Sequence, residues 1–216
     1  MINIKIFSCK ERYSMAKVLA DKLNFSENNI YLDTRNNRKW QSFSLEVSKA
    51  LSLFDLTNEN NYSMLIQDDV DICNNFINLC LKIISYHKNA IFSLFPYAYM
   101  NMFVKEKILN RNSPYWEADI VSGCCIIIPN IYMKDLILFM QNPKTIGFGD
   151  DVLISCFASA NKIPVLTTIP SLVQHIGDVS ILDPTKPIRK TQYFEMDPVA
   201  NWESQEVNSL KKIQLS

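Results

Sequence analysis

Short apolar segments alternate with amphipathic segments along the first half of this 216-residue chain. Alternating strands and helices are typical of a parallel sheet with helices packed on both faces. The pattern therefore predicts an α/β fold, a three-layer sandwich around a mostly parallel central sheet. Strands are predicted at residues 2–7, 30–33, 63–67 and 90–95, and helices at 11–23, at 38–51 and over the stripe of Phe76, Leu79, Cys80 and Ile83.

The second half of the chain is less regular, although strands and helices are still predicted there. From Asp178 the chain becomes polar and contains several prolines, which indicates an irregular, mobile segment able to cover a site. We therefore expect one domain over residues 1–180 and a polar tail over 181–216. A β-branched run, Cys124–Ile128, lies within 118–128, extended segments are predicted at 165–169 and 172–176, and helices are predicted over the stripe from Met133 to Met140 and at 151–160.

Composition argues against several classes of protein. Lys plus Arg and Asp plus Glu both number 22, so a dominant attraction to nucleic acid or an anionic membrane is not indicated. No apolar stretch approaches the roughly 20 residues that span a bilayer, and the start is too short and strand-like for a signal peptide. The six cysteines lack zinc-type spacing, which predicts reduced, structural thiols. A cytoplasmic protein with no transmembrane segment is expected.

An acidic pair, Asp68-Asp69, follows the predicted strand at 63–67 directly. Asp33 and Ser8 stand at the ends of two other predicted strands, and ligands of open α/β sheets bind beyond such ends. One crevice is therefore expected to collect a hydroxyl and three carboxylates. Hard cations such as Mg²⁺ or Mn²⁺ take one or two carboxylates and leave other positions to phosphate oxygens. A simple turn is the alternative for the pair, since Asp favours turns.

All four glycines of the chain lie in the second half, in the segments Ser122-Gly123, Gly147-Phe-Gly149 and His175-Ile-Gly177. Glycine permits close approach of the backbone to a ligand, which makes Gly123 a candidate site residue. Asp150-Asp151 opens a predicted helix, where one carboxylate can cap free N–H groups while the other faces the crevice as a base. His175 is a candidate Mn²⁺ ligand. A histidine satisfied within the core is the alternative.

Taken in order, these motifs resemble those of glycosyltransferases with the GT-A fold. That family has a DxD-type motif after a strand, a glycine loop, an acidic motif that opens a helix and a C-terminal histidine. Gln67 departs from the pattern, because an acid is common there. The resemblance covers roughly residues 1–180, and 170–177 also resembles segments of some N-acetylglucosaminyltransferases. The matching segments are Gln67-Asp68-Asp69-Val70, Ser122-Gly123, Gly149-Asp150-Asp151 and His175, and the opening Ser8-Cys-Lys-Glu-Arg12 resembles the family's nucleotide-binding start.

The resemblance implies a Rossmann-like GT-A fold and transfer of a sugar from a UDP-sugar to an acceptor hydroxyl, with inversion. It implies that Asp69 and His175 hold Mn²⁺ or Mg²⁺, and that Asp151, or Asp150, is the catalytic base. The acceptor is expected to be a glycan, a protein or a modified base in DNA. The many Asn, Lys and Ile residues indicate an AT-rich genome, which suits a bacteriophage or a low-GC bacterium. The residues implied to bind the nucleotide sugar are Ser8, Arg12, Asp33, Asp68 and Gly123.

Other functions stay open from the sequence. A phosphohydrolase clamps two metals with carboxylates, but the chain has no P-loop and no lysine placed to cradle phosphate. A catalytically inactive module of the same fold would bind a nucleotide or a glycan without turnover. Binding to DNA requires Lys or Arg at the phosphates. The tail offers Lys186, Arg189 and Lys190 for this, with an exposed, solvated segment as the simpler interpretation.

Overall fold

The computed structural model describes residues 1–35, 40–96, 113–145, 147–177, 185 and 189–209. Within these residues, eight strands form the main sheet and two form a small second sheet. The strands are β1 (Ile2–Cys9), β2 (Ile30–Asp33), β3 (Tyr62–Gln67), β4 (Val70–Ile72), β5 (Ile91–Ser93), β6 (Tyr115–Glu117), β7 (Cys125–Pro129), β8 (Val165–Thr168), β9 (Val173–His175) and β10 (Asn208–Ser209). The helices are α1 (Tyr13–Lys22), α2 (Trp40–Ser52), α3 (Phe76–Tyr86), α4 (Asn130–Met140) and α5 (Asp150–Ala160).

The main sheet has the strand order β10-β6-β8-β5-β7-β3-β1-β2. β1, β2, β3, β5 and β8 run in one direction, whereas β6, β7 and β10 run in the other. The sheet is therefore mixed and mostly parallel, which confirms an α/β fold of the Rossmann-like class. β7 lies between β3 and β5 and runs against both of them.

Side chains on the two faces of the sheet form two separate cores. Ile6 and Ile66 belong to the first core, whereas their chain neighbours Phe7 and Leu65 belong to the second. This period of two is the alternation expected of strands that are covered on both faces. Residues of α1 and α3 complete the first core, and residues of α2, α4 and α5 complete the second. Two layers of helices thus enclose the sheet.

Part of the polar tail packs against this domain. β10 pairs in parallel with β6 at one edge of the main sheet. Tyr193 and Trp202 are 8% and 5% exposed and lie in the two different cores. The hydroxyl of Tyr115 donates to the backbone oxygen of Trp202 at 2.6 Å. The described part of the tail, residues 189–209, therefore packs against the same domain.

Two expectations from composition concern membranes and thiols. Across the described residues, no helix combines the length and the apolar character needed to cross a bilayer, and the longest, α2, has 13 residues. None of the six cysteines, all of which lie within the described residues, forms a disulfide. Five of them are buried and Cys156 is exposed.

Candidate functional site

The first acidic pair forms the two-residue turn that links β3 to β4. Asp68 and Asp69 are nevertheless buried, with 5% and 1% of their surface exposed. A carboxylate whose only role is to form a turn would stay exposed to water, because burying it costs free energy unless partners compensate its charge. The turn therefore explains the backbone at this point but leaves the burial of both side chains unexplained.

Asp68 is held by one residue at the end of β1 and one that follows it. The Ser8 hydroxyl donates to its Oδ2 at 2.7 Å, and Arg12 Nη1 lies 3.7 Å from its Oδ1. The parallel register of β1 and β3, with Phe7 opposite Gln67, brings these residues to the same edge of the sheet. Desolvation and the neighbouring Asp69 charge raise the pKa of Asp68 to about 6, against the opposing effects of Ser8 and Arg12. Asp68 therefore loses its proton closer to neutral pH than an exposed carboxyl does.

One carboxylate oxygen of Asp69 contacts both the guanidinium of Arg12 and the imidazole of His175. Arg12 Nη1 donates to its Oδ2, and His175 Nε2 lies 3.0 Å from the same oxygen. Desolvation acts to raise the pKa of Asp69, but the hydrogen bond with His175 and the charges of His175 and Arg12 outweigh it and lower the pKa. Its other oxygen, Oδ1, is buried and lacks a hydrogen-bond partner among the described residues.

The small second sheet places His175 beside Asp69. β4 and β9 pair antiparallel with Val70 opposite His175, and the Ile176 N–H donates to the backbone oxygen of Asp69 at 2.8 Å. A Cβ atom at Gly177 would lie 2.6 Å from Asp69 Oδ2. Since real side chains do not tolerate this distance, glycine is what lets the chain after β9 close over the carboxylate.

The reversed strand β7 brings the glycine loop to the acidic turn. Because β7 is antiparallel to β3, its first residues lie beside the last residues of β3, and the Gln67 N–H donates to the Cys124 carbonyl at 2.9 Å. A Cβ atom at Gly123 would lie 2.8 Å from Asp150 Oδ2 and 3.6 Å from Gln67 Nε2. Gly123 therefore lies beside both Asp150 and the side chain of Gln67, the residue that directly precedes the first acidic pair. The region of Asp68, Asp69, Gly123 and Asp150 is called the acidic crevice below.

The two acids that open α5 have different surroundings. Asp150 is 5% exposed and faces Gly123, whereas Asp151 is half-buried and accepts the Val152 N–H at 2.8 Å. Desolvation and the Asp151 charge raise the pKa of Asp150 to about 7, although the first N–H groups of the helix and Arg189 oppose this. A general base works best when its pKa lies near the working pH. Asp150 meets that condition.

Cys124 lies within electrostatic range of both acidic motifs and of Arg189 in the tail. Burial raises the pKa of its thiol to about 12, and the charges of Asp69 and Asp150 both act in the same direction, whereas Arg189 opposes them. Arg189 thus lies within electrostatic reach of the crevice. Lys190 is exposed, and Lys186, the third basic residue predicted in the tail, lies outside the described residues.

Asp33 lies at the same edge of the main sheet, but its hydrogen-bond partner differs from those of Asp68 and Asp69. It pairs in register with Cys9 across β1 and β2 and is 1% exposed. Arg35 donates to both of its oxygens, through Nε at 2.9 Å and through Nη2 at 2.7 Å. This carboxylate is therefore held by its own local ion pair, on a strand that β1 separates from β3.

Metal ligands are few at this site. Among the residues that the structure describes, no group of three or more His, Cys, Asp or Glu side chains is arranged to hold a metal ion. Asp69 and His175 are two neighbouring donors, so other ligands of a cation would have to come from a bound molecule.

A separate open depression of about 490 Å³ lies between the end of α1 and the start of α3. Its wall includes Lys22, Asn75 and Met196. None of the residues predicted for the site lines this depression, so it is not part of the acidic crevice.

Comparison with known proteins adds little to this geometry. No protein-family model matches the chain, and no curated protein matches its sequence. Among solved structures, the crystal structure of A197 from STIV has a TM-score of 0.48 and 15% sequence identity, covering 89% of this chain and 97% of that chain. A likeness of this size carries no argument about chemistry, which therefore depends on the crevice itself.

Proposed function

We propose that this chain is a metal-dependent glycosyltransferase of the GT-A type, which moves a sugar from a UDP-sugar to an acceptor hydroxyl with inversion. The observation that carries the proposal is that two buried acidic motifs lie near one glycine-bearing loop: Asp69 lies against His175, Asp150 lies beside Gly123, and the charges of both acids act on Cys124. The first suits a cation that binds a diphosphate, and the second suits a proton acceptor. The motif order seen in the sequence supports the same assignment. Release of UDP from a UDP-sugar that depends on Mn²⁺ tests it.

Asp69 and His175 fit one side of a Mn²⁺ or Mg²⁺ site. Asp69 Oδ2 and His175 Nε2 are 3.0 Å apart, close to the roughly 2.9 Å between neighbouring ligands of an octahedral ion. Asp69 Oδ1 is buried and lacks a partner among the described residues. Such ions take one or two carboxylates and complete their shell with phosphate oxygens and water. When bound, the cation offsets charge that develops on the departing diphosphate.

The residues at the ends of β1, β2 and β3 are assigned to the donor. Asp68 is fixed by Ser8 and Arg12, so its oxygens are positioned to accept hydrogen bonds from ribose or sugar hydroxyls. Ser8, Arg12 and Asp33 are assigned to the nucleoside. Gly123 lets the backbone approach the donor sugar, because it carries no side chain.

Asp150, rather than Asp151, is assigned as the base. It faces the crevice and has a pKa of about 7. In the transfer step the acceptor oxygen bonds to the anomeric carbon, the bond from that carbon to the diphosphate breaks, and the acceptor proton moves to an Asp150 oxygen. Attack on the face opposite the leaving group inverts the anomeric centre.

Two glycine substitutions are expected to separate donor binding from turnover. In Gly177→Ala the new Cβ meets Asp69 Oδ2, so we expect affinity for UDP in Mn²⁺ to fall by about 10–100-fold. In Gly123→Ala the new Cβ meets Asp150 Oδ2, so we expect turnover to fall about 100-fold while UDP affinity is retained. Calorimetry with UDP and Mn²⁺, followed by turnover assays, measures both. The opposite pairing of effects would contradict the assigned roles.

A further inference from the structure

We propose that Arg12 is a built-in counterion, which occupies Asp69 until a divalent cation and the donor bind and then pairs with the diphosphate of the donor. This inference rests on the proposed function, because it concerns how the same site is loaded. It makes Arg12 a residue that couples binding of the metal to binding of the nucleotide.

Arg12 is placed to neutralise the whole acidic turn. It ends the 3₁₀ turn Lys10–Arg12 that precedes α1, and its Nη1 contacts Asp69 Oδ2 while lying 3.7 Å from Asp68 Oδ1. Its side chain is 16% exposed and that of Asp69 is 2% exposed. A charge-assisted hydrogen bond between groups so well buried is stronger than a surface ion pair. Arg12 therefore forms a stable ion pair with Asp69.

Arg12 and a metal ion would compete for one atom. The Asp69 oxygen that accepts from Arg12 is the oxygen that lies against His175 Nε2. A cation held between Asp69 and His175 must share this oxygen with the guanidinium or replace it. Two positive charges on one buried oxygen repel each other strongly. Binding of the cation therefore displaces Arg12.

The displaced guanidinium needs an anion nearby. Its planar donors match phosphate oxygens, and Arg is well suited to diphosphate recognition. A nucleoside diphosphate at the end of β1 supplies this anion, so Arg12 is released at lower cost when metal and nucleotide arrive together. Since coupling between two ligands is reciprocal, UDP strengthens Mn²⁺ binding by the same factor as Mn²⁺ strengthens UDP binding.

The test is a set of Mn²⁺ titrations followed by electron paramagnetic resonance, with and without UDP. Without UDP, Arg12→Met is expected to bind Mn²⁺ about tenfold more tightly than wild type, because the competing charge is gone. The increase in Mn²⁺ affinity that UDP produces is expected to shrink in this variant. Lys22→Met is the matched control, since Lys22 pairs with Asp71 at the far end of α1 and should leave Mn²⁺ affinity unchanged.

The outcomes separate this inference from the proposed function. If wild type binds Mn²⁺ and UDP but folded Arg12→Met binds Mn²⁺ no more tightly, the inference fails and the proposed function stands. If neither protein binds Mn²⁺ with or without UDP, both fail. Arg12→Lys keeps the charge but loses the planar donors, and an intermediate Mn²⁺ affinity is expected. Where Arg12→Met does not fold, Arg12→Lys decides, and an affinity equal to wild type overturns the inference.

Discussion

Asp150→Asn is expected to reduce sugar transfer by about 10²–10⁴-fold, the usual contribution of a general base. The amide keeps the size of the side chain, and its oxygen can still accept the first N–H groups of α5, so the start of α5 is preserved. Affinity for UDP in the presence of Mn²⁺ should stay close to that of wild type, because Asp150 lies with Gly123 rather than with Asp69 and His175. Turnover measured beside UDP affinity shows whether only the chemical step is lost.

The neighbouring residue supplies the control for this prediction. Asp151 opens the same helix, but it is half-buried and accepts the N–H of Val152. Asp151→Asn is therefore expected to keep most of the turnover. A larger loss in Asp151→Asn than in Asp150→Asn would move the base to Asp151.

Asp150→Asn is also expected to change the free energy of unfolding in a way that depends on pH. Burial raises the pKa of Asp150 to about 7, whereas an unfolded Asp titrates near pH ~4. Between these values the folded protein holds a proton that the unfolded chain has lost, so its stability falls as pH rises. Asp150→Asn cannot ionise and should exceed wild type by on the order of 4 kcal/mol at pH 8, with no advantage at pH 4. Urea unfolding at both pH values measures this.

Asp69→Asn is expected to remove the metal-dependent part of UDP binding. The substitution takes away the charge that faces Arg12 and His175 and weakens the oxygen that would bind a cation. Replacing a group behind a metal ligand typically costs 10–100-fold in affinity, so loss of the ligand itself should cost at least ~100-fold. Calorimetry with UDP, in Mn²⁺ and then in EDTA, isolates the metal-dependent part.

Asp71 provides the matched control for Asp69. It lies two residues further along, in β4, and pairs with Lys22 at 2.6 Å instead of facing the crevice. Asp71→Asn is expected to leave UDP binding unchanged in both conditions. Unchanged UDP affinity in Asp69→Asn with Mn²⁺ present would exclude Asp69 as a ligand.

The regular part of the fold could be predicted because its strands and helices carry strong periodicity. The observed β2 has the predicted bounds, Ile30–Asp33, and the other predicted strands and helices are present with shifted ends. For helix 38–51 the described part begins at Trp40, and residues 38 and 39 lie outside the described residues. β4, β6 and β10 were not predicted. They have only two or three residues, and each depends on pairing with a distant partner that a local pattern does not reveal.

The composition of the site could be read from the sequence more readily than its arrangement. Acids after β3 and before α5 stand out as motifs, but the reversed direction of β7 decides that Gly123 meets Asp150. The contact of Arg12 with Asp69 joins residues 57 positions apart. The sequence marked Gln67 only as a departure from the family pattern. Its place as the last residue of β3, after five buried residues, was the signal that its side chain lies near Gly123.

The burial that distinguishes the two acids of α5 is likewise a property of the packed structure. Both acids occupy the first turn of the helix, where either could cap it. Only the contact between the start of α5 and the loop at Gly123 turns Asp150 towards Gly123, while Asp151 stays half-buried. The sequence therefore allowed both assignments, and the structure favours one.

The most direct test is a screen of UDP-sugars for release of UDP by the purified protein with Mn²⁺, with EDTA and with Asp150→Asn as controls. The account predicts that at least one UDP-sugar is converted to UDP and a sugar product, that EDTA stops the conversion and that Asp150→Asn slows it. UDP binding without conversion of any donor and any acceptor would indicate an inactive binding module. Release of inorganic phosphate from the nucleotide would indicate a phosphohydrolase, and either result would contradict the proposed glycosyltransferase.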